Sequence, residues 1–296
     1  MTNILVTGKQ GQVARCLAER ASQFPKLDLS FASRTDGDVF LDLADRDSIR
    51  NAVEQTRPDI IINSAAYTAV DKAEEESELA QQLNGIAPGV LAETAAELNA
   101  RLVQISTDYV FDGTKSSAYM ETDATNPIGV YGRSKLQGEI NVRAKLPHAT
   151  IVRTSWVYSP YGNNFLKTML RLAADRDELS IVSDQWGQPT SAFEIAEGLL
   201  TLSNLWHEGS ETGLGETFHL AGAWETNWSG FARKIFKLSS ANGGGSASVV
   251  DISTEEYPTL AERPKNSRLS TAKFKSLVGY ETKPIEVVLE EVIAKL

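Results

Sequence analysis

Short apolar runs alternate with amphipathic stretches over the first half of the chain, and this alternation limits the fold more than any other feature. The runs are rich in Val and Ile and often apolar at consecutive positions: NILVTG, DLSFAS, DIIINSAA, RLVQISTDYVF and ATIVRTSWVY. Consecutive apolar positions are typical of strands buried on both faces of a parallel sheet, because helices cover each face. The order β-α-β-α-β-α-β-α-β therefore predicts an α/β fold, a doubly wound parallel sheet of the Rossmann type.

The stretches between the strands are predicted to be helices. They cover residues 12–23, 45–55, 74–98 with a break at 84–88, and 127–145, and two more follow at 165–179 and 192–206. Beyond residue 158 the alternation weakens, with a strand at ETFHLAG and a flexible turn at SSANGGGSAS.

Two lobes are expected from this change of pattern. Residues 1–158, rejoined by about 190–222, would form a dinucleotide-binding Rossmann domain. Residues 159–189 and 223–296 would form a smaller, discontinuous C-terminal substrate-binding lobe over the carboxyl edge of the sheet.

The composition excludes several functional classes. The chain has 296 residues and a net charge of -10, without the concentrated positive face that binding to nucleic acid or an anionic membrane needs, so neither partner is expected. The single cysteine, Cys16, excludes an internal disulfide, and no Cys/His cluster has the spacing of a zinc site. The start MTNILVTG lacks a signal-peptide pattern, and no run of about 18 apolar residues occurs. We expect a cytoplasmic protein.

A glycine turn follows the first predicted strand. Gly8 and Gly11 come directly after NILVT, Ala14 takes the third small position, and a helix begins at once. Such a turn lets the backbone approach a pyrophosphate and points helix N-terminal N–H groups at its charge. A plain strand-to-helix connection would also explain a lone Gly-x-x-Gly, but its place at the first strand of a βαβ series favours a dinucleotide site.

The ends of the next strands bear on the cofactor. NAD-binding proteins place an acid after the second strand to hold the ribose 2′-hydroxyl, whereas this chain has Arg34, whose guanidinium suits a 2′-phosphate. Arg34 therefore favours NADPH and leaves NADH open, with a solvated loop arginine as the alternative. Asp42 and Leu43 are candidates to border the adenine, and Ala65 and Ala66 would let a nucleotide lie close to the backbone.

A tyrosine and a lysine, Tyr131 and Lys135, are four residues apart in a predicted helix and so share one face of it. Ser106 and Thr107 lie near the carboxyl end of the fourth strand, at the edge where open α/β sheets bind ligands. An ammonium beside an oxidised nicotinamide favours phenolate over the usual phenol pKa of about 10, which makes Tyr131 a usable proton donor. A Tyr/Lys pair alone is common on helix surfaces; the ordered set of glycine turn, strand-end threonine and Tyr/Lys helix favours a catalytic site. The candidate cofactor contacts are Gly8, Gln10, Gly11, Gln12, Val13, Arg34, Asp42, Leu43, Ala65, Ala66, Tyr67, Tyr131 and Lys135.

Further motifs occur in order up to residue 269: TAVDKAE, STDYVFDG, YGRSK, RTSWVY, GNNF, GQPTS and RPKNSRL. With them the chain resembles the extended short-chain dehydrogenase/reductase family, and within it the enzymes that reduce dTDP-4-dehydro-L-rhamnose to dTDP-L-rhamnose with a nicotinamide cofactor. The resemblance implies that Tyr131 protonates the C4 oxygen of the substrate. It also implies that Lys135 holds the nicotinamide ribose and tunes Tyr131, and that Thr107 hydrogen-bonds the same carbonyl.

The same resemblance implies contacts with the dTDP-sugar substrate. Asp108, Tyr109 and Trp156 would shape the sugar pocket, with aromatic faces against the deoxysugar. For Trp156 a core position at the junction of the lobes is the alternative. The residues implied at the nucleotide diphosphate end are Asn163, Asn164, Arg263 and Asn266.

Related functions stay open at this point. The sugar-nucleotide 4,6-dehydratases of the same family need an additional acid, generally an Asp-Glu pair after the strand-end threonine. Here Tyr109 replaces the glutamate, so reduction is favoured over elimination. The alternatives are another sugar-nucleotide epimerase or reductase, and a non-catalytic regulatory subunit resembling that of methionine adenosyltransferase.

A metal is also left open. Some family members form a homodimer through Mg²⁺ held by carboxylates on the first and the C-terminal helix. Glu291 suits the second place, but Cys16 at the first is a poor ligand for a hard cation. The sequence therefore decides neither the metal nor the homodimer.

Overall fold

The structure, a computed structural model, describes the whole chain from Met1 to Leu296. The strands are β1 (Thr2–Thr7), β2 (Leu27–Ser33), β3 (Val39–Phe40), β4 (Ile60–Asn63), β5 (Arg101–Thr107), β6 (Thr150–Thr154), β7 (Val157–Tyr158), β8 (Glu178–Val182), β9 (Trp186–Gly187), β10 (Thr190–Ser191), β11 (Thr217–His219), β12 (Thr226–Asn227) and β13 (Ser248–Ile252). The α-helices are α1 (Gln12–Arg20), α2 (Arg46–Thr56), α3 (Val70–Glu75), α4 (Ser77–Ala80), α5 (Ala87–Glu97), α6 (Val130–Lys145), α7 (Phe165–Leu172), α8 (Ala192–His207), α9 (Trp228–Ala241), α10 (Ala272–Val278) and α11 (Ile285–Ile293). A π-helix covers Gln81–Ile86, and 3₁₀ turns cover Ala21–Gln23, Asp108–Val110 and Thr254–Glu256.

Seven strands form the central sheet in the order β11-β6-β5-β4-β1-β2-β3, and every neighbouring pair is parallel. The order reverses at β1, since β2 lies on one side of it and β4 on the other. This doubly wound arrangement confirms the predicted fold class. In such sheets ligands bind at the carboxyl ends of the strands where the order reverses, which here means beyond β1 and β4.

The strands are buried on both faces, in agreement with their consecutive apolar residues. In β1, Ile4 and Val6 belong to a cluster of 38 buried residues, whereas Leu5 belongs to a separate cluster of 19. The larger cluster includes residues of α1, α8, α9 and α11, and the smaller includes residues of α2, α5 and α6. Helices thus cover both faces of the sheet, so a ligand reaches the strands at their ends.

One predicted helix break was wrong. Residues 84–88 do not interrupt the helix, because the π-helix Gln81–Ile86 continues directly into α5. Pro88 then lies in the first turn of α5, directly after the π-helix, and has no N–H to donate to the preceding turn. The interruption lies instead at Glu76, between α3 and α4.

The helix predicted at residues 165–179 was too long. Helix α7 ends at Leu172, residues 173–177 form a turn, and β8 begins at Glu178 and pairs with β13. In β8 the side chains of Leu179 and Ile181 are buried while Glu178 and Ser180 are exposed, which is the two-residue period of a strand. The helix predicted at residues 127–145 starts three residues later than expected, since α6 begins at Val130.

The second half of the chain crosses between the central sheet and three two-stranded sheets. Strand β11 pairs with β6 at the edge of the central sheet, while β8 pairs with β13 and β9 pairs with β12. Segments of 159–189 therefore pair with segments of 223–296, which supports a discontinuous lobe. The division into two domains is kept as a proposal. None of the helices combines the length and the apolar character that a membrane crossing needs.

Candidate functional site

The glycine turn packs directly against the neighbouring strand end. Gly8 has φ +81°, in the left-handed region, and its N–H donates to the Ala32 carbonyl at 2.8 Å. A Cβ on Gly8 would lie only 2.9 Å from Cβ of Ala65, and the Gly11 N–H donates back to the Gly8 carbonyl at 2.8 Å. Gly8 and Ala65 thus meet beyond β1 and β4, beside half-buried Ala66, and leave a close approach for a pyrophosphate at the start of α1.

Helix α1 begins at Gln12, whose side chain ties the turn to the loop before α7. Its Oε1 accepts from Ser159 Oγ at 2.8 Å and from Asn164 Nδ2 at 2.9 Å. Asn164 is also the N-cap of α7, so both ends of its amide are engaged by the protein. Asn163 beside it is exposed, and Val13 packs against the larger core cluster. The diphosphate contact implied for Asn164 stays a prediction, since its present bonds hold the loop to the glycine turn.

The loop after β2 carries charges of both signs. Arg34 is exposed and takes part in none of the hydrogen bonds or ion pairs of the protein. Asp36 accepts from Gln10 Nε2 and from Ser33 Oγ, and the bond from Gln10 holds the pKa of Asp36 below its usual value. A free guanidinium and an oriented carboxylate therefore lie in the loop that meets the adenosine ribose in this fold.

The residues proposed to border the adenine have bonds of their own. Asp42 N–H donates to Ser48 Oγ at 2.9 Å, and its carboxylate accepts from the Ala44 N–H at 3.0 Å, which shapes the turn before α2. Leu43 is buried in the smaller core cluster. Tyr67 donates through its hydroxyl to Glu76 at 2.6 Å. The cofactor contacts of these residues stay predictions.

Tyr131 lies in the first turn of α6 and faces the end of β5. Its ring meets that of Tyr109 edge-on with centroids 5.6 Å apart, and the Thr107 hydroxyl is close enough to affect the pKa of the phenol. Burial raises the pKa of Tyr131 to about 12, while the Thr107 hydroxyl acts in the opposite direction. The phenol therefore keeps its proton at neutral pH, which is the state that a proton donor needs.

Lys135 is buried one turn further along α6. Its Nζ donates to the Ile105 carbonyl at 2.7 Å. Burial lowers the pKa of Lys135 to about 8, and the charge of Glu139 acts against that change. Glu139 is held in turn by Arg153, whose Nε and Nη2 donate to its two oxygens at 2.9 and 2.7 Å. The sequence predicts that Lys135 lowers the pKa of Tyr131 when an oxidised nicotinamide is bound beside them. This effect stays a prediction.

Buried polar atoms without a protein partner gather at the ends of β5 and β6. Asp108 is 2% exposed; its Oδ1 accepts from Thr107 Oγ1 at 2.9 Å, while Oδ2 has no partner. Burial raises the pKa of Asp108 to about 7. The hydroxyls of Ser106 and Thr154 are likewise buried and unpartnered. Buried polar groups are rarely left without a partner, so these three atoms are exceptions within the protein.

Trp156 joins the end of the sheet to the C-terminal segments. It has φ +46°, an uncommon conformation for a residue other than glycine, and its indole stacks on Trp228 of α9 with centroids 3.5 Å apart. A Cβ on Gly187 would lie 2.4 Å from the indole, so β9 packs closely against it as well. Trp156 is thus half-buried at the junction expected for it, and a contact with the sugar stays a prediction.

Arg263 and Asn266 are both held by protein groups. Arg263 forms a two-point pair with Asp71 of α3, with N···O distances of 3.1 and 2.8 Å. Asn266 donates to the carbonyls of Lys115 and Ser117 at 2.6 and 2.8 Å. These bonds fix the loops around the site, and the diphosphate contacts implied for the two residues stay predictions.

The residues considered for a metal do not fit one. Cys16 is buried, and burial raises the pKa of its thiol well above the ordinary value. Glu291 pairs with Arg20, which also pairs with Glu197 at 2.8 Å, so an arginine already supplies positive charge at this carboxylate. No three His, Cys, Asp or Glu side chains come together as a metal-binding group.

The structure adds residues that sequence reasoning missed. Glu139 could have been found, because it extends the face of Tyr131 and Lys135 by four more residues. The others have partners further away in sequence; the motifs TAVDKAE and RTSWVY contain them but do not indicate their contacts. The added residues are Asp71, Glu74, Glu139 and Arg153.

Comparison with known proteins assigns the chain to a family. All of its residues, 1–296, match the family described as the RmlD substrate binding domain. The dTDP-4-dehydrorhamnose reductase of Sinorhizobium fredii is 46% identical over 276 residues, covering 93% of this chain and 91% of that protein. The enzyme of the same name from Escherichia coli K12 is 40% identical, covering 92% and 90%. The crystal structure of dTDP-4-dehydrorhamnose reductase from Bacillus anthracis in complex with NADP has a TM-score of 0.88 and 36% identity, covering 100% of this chain and 99% of that one. The chain therefore belongs to the RmlD substrate binding domain family.

Proposed function

We propose that the protein is an NADPH-dependent dTDP-4-dehydrorhamnose reductase, which reduces the C4 keto group of dTDP-4-dehydro-L-rhamnose to give dTDP-L-rhamnose. The observation that carries the proposal is the position of Tyr131 against Tyr109 at the end of β5, at the sheet edge that also bears the glycine turn. The names of the relatives support the substrate. The tyrosine at position 109, where elimination would need an acid, supports reduction over loss of water.

The side chains around the end of β5 supply the proton and the fixed charges. When bound, the reduced nicotinamide supplies the hydride. Tyr131 donates its proton to the C4 oxygen as that oxygen gains negative charge. The Thr107 hydroxyl, whose one proton is donated to Asp108 Oδ1 in this structure, would turn that proton to the same oxygen and so orient the carbonyl. The Lys135 ammonium, one turn further along α6 and held on the Ile105 carbonyl, is the cation that would stabilise the phenolate that remains.

Binding of the two ligands follows from the shape of the sheet edge. Gly8, Gly11 and the N-terminus of α1 hold the pyrophosphate, because glycines let the backbone come close to the phosphates; a Cβ at Gly8 would also collide with Ala65. Asp108 and Tyr109 bound the sugar on the β5 side, and Trp156 bounds it toward the C-terminal lobe.

Cofactor preference is assigned to Arg34. Its guanidinium is exposed and unpaired, which suits a 2′-phosphate, and a related structure holds NADP. Asp36 in the same loop is an acid of the kind that holds a ribose 2′-hydroxyl, so NADH is the second cofactor to test. Arg34→Ala should raise the KM for NADPH at least about tenfold and leave that for NADH unchanged, since a charge-assisted contact contributes about 1.5–3 kcal/mol. Equal catalytic efficiency with NADPH and with NADH, in the wild type and in Arg34→Ala, would refute the preference for NADPH.

The proposed reductase activity is tested in a coupled enzyme assay. The upstream dTDP-sugar enzymes generate the keto sugar, and NADPH oxidation is followed by absorbance. Tyr131→Phe should lower kcat at least about a hundredfold and leave NADPH binding intact. Tyr158→Phe is the matched control, because its buried hydroxyl has no partner and lies in the core. Full turnover in Tyr131→Phe would exclude it as the acid; no turnover by the wild type, with stoichiometric binding to a partner enzyme, would favour a regulatory subunit.

A further inference from the structure

We propose that Glu74 is a positioning residue of this reduction: its carboxylate fixes the first turn of α6 and thereby the phenol of Tyr131. The proposal rests on the proposed reductase function and adds a residue that touches neither substrate nor cofactor. Glu74 is the last residue of the motif TAVDKAE, and it lies in α3, three α-helices before α6.

The contact lies one residue from the proposed acid. Glu74 Oε1 accepts a hydrogen bond from the Val130 N–H at 2.8 Å, and Val130 is the first residue of α6. The N-cap of this helix is Gly129, which has no side chain to satisfy the free N–H groups of the first turn. A Cβ on Gly129 would lie 3.0 Å from Glu74 Oε1. Glycine at this position therefore lets a carboxylate from another helix act as the cap.

Charge and burial strengthen this cap. A carboxylate at a helix N-terminus interacts favourably with the helix dipole, and α6 is 16 residues long. Glu74 is half-buried, so solvent screens the interaction less than at an exposed helix end. Helix ends are the places that open most easily, and Tyr131 lies in that first turn. The Glu74 bond holds the turn closed where the proton donor needs a fixed geometry.

The start of α6 is confined from a second side. A Cβ on Gly132 would lie 2.2 Å from the Tyr109 carbonyl oxygen, so α6 packs backbone against backbone next to the ring partner of Tyr131. One turn before Glu74, Asp71 binds Arg263 and the Ala261 N–H at 3.2 Å. The short helix α3 therefore binds both the C-terminal loop, through Asp71, and the start of α6, through Glu74.

The consequence is a specific kinetic pattern. A shift of about 1 Å in a reacting group can cost about a hundredfold in rate, so Glu74→Ala should lower kcat about ten- to a hundredfold. The KM for NADPH should change less than about threefold, because α3 does not form the glycine turn. Glu74→Gln keeps the oxygen that accepts from Val130 and should keep at least about a third of wild-type kcat.

The experiment compares Glu74→Ala, Glu74→Gln and Glu75→Ala in the NADPH oxidation assay. Glu75→Ala is the matched control, because this neighbouring carboxylate is exposed and makes no hydrogen bond or ion pair. The double variant Glu74→Ala/Tyr131→Phe should be no slower than Tyr131→Phe alone, within about twofold, because Glu74 acts through the tyrosine. Amide hydrogen exchange of residues 129–133 should speed up in Glu74→Ala and stay slow in Glu74→Gln.

Each outcome decides the matter. Rescue by Gln, non-additivity with Tyr131→Phe and local loss of exchange protection together support the positioning role. Wild-type kcat in Glu74→Ala, additive losses in the double variant, or unchanged exchange at the start of α6 would overturn it. If the wild type itself oxidises no NADPH, the proposed function fails, while the exchange measurement still tests the cap.

Discussion

Breaking the buried ion pair between Glu139 and Arg153 from one side should cost several times more stability than breaking an exposed pair of similar geometry. Both side chains are 6% exposed and meet through two hydrogen bonds, and Arg153 Nη1 has no partner even in the native protein. Glu139→Gln keeps the size of the side chain but removes the charge opposite a buried guanidinium. Breaking a buried pair from one side costs about 3–5 kcal/mol, because the other charge stays buried and uncompensated.

The measurement is urea unfolding at pH 7, supported by thermal unfolding. At about 2 °C per kcal/mol for a chain of this size, Glu139→Gln should lower Tm by about 6–10 °C. Asp251→Asn is the matched control: Asp251 pairs with Arg233 at 2.8 Å, but their side chains are 52% and 48% exposed. Loss of that exposed pair should cost less than about 1 kcal/mol.

A double variant distinguishes loss of the ion pair from the cost of leaving one charge buried without a partner. Glu139→Met with Arg153→Met removes both charges and keeps apolar volume, so it should be more stable than Glu139→Gln alone. A free energy of unfolding for Glu139→Gln within about 1 kcal/mol of the wild type would refute the reasoning. A double variant less stable than the single one would do the same.

Three more predictions concern the same edge of the sheet. Gly132→Ala would place a Cβ 2.2 Å from the Tyr109 carbonyl oxygen and should cost about 1–3 kcal/mol in urea unfolding, whereas Gly245→Ala, with 3.6 Å to its nearest neighbour, should cost little; equal effects would contradict this. Burial lowers the pKa of Lys135 from 10.5 to about 8, so the unfolded chain binds its proton more tightly. The free energy of unfolding, relative to Lys135→Met, should therefore rise by about 3 kcal/mol from about pH 8 to pH 10.5, and a flat difference would exclude the shift. Gly8→Ala adds a Cβ at φ +81° in the glycine turn and should weaken NADPH binding at least about tenfold by calorimetry; unchanged affinity would remove the turn from the site.

Much of the fold could be read from local patterns. The runs NILVT and DIIIN are long and apolar enough to be buried strands in any compact arrangement, and they became β1 and β4. The local patterns failed where the same residues fit both a helix and a strand. ELSIV follows a helical stretch without a break, and its two-residue period becomes decisive only when β13 pairs with it, some 70 residues later.

The residues of the candidate site also divide into those that local spacing indicates and those that only the fold brings together. Tyr131 and Lys135 share a helical face because of their spacing, and Gly8 and Gly11 follow a strand, so both motifs were visible in the chain. The roles of Arg263 and Asn266 were not, because their hydrogen-bond partners are more than 140 residues away in sequence.

Periodicity and local spacing were therefore sufficient for the main strands of the central sheet, the glycine turn and the Tyr/Lys helix, because each depends on residues within a few positions of one another. Only the folded chain decided which groups hold them in place. The cap of Glu74 on Val130 joins residues 56 positions apart, and the pair of Asp71 with Arg263 joins residues 192 apart. A hydrogen bond acts over about 3 Å, so whether such groups meet is determined by the packing of the whole molecule and by no local pattern.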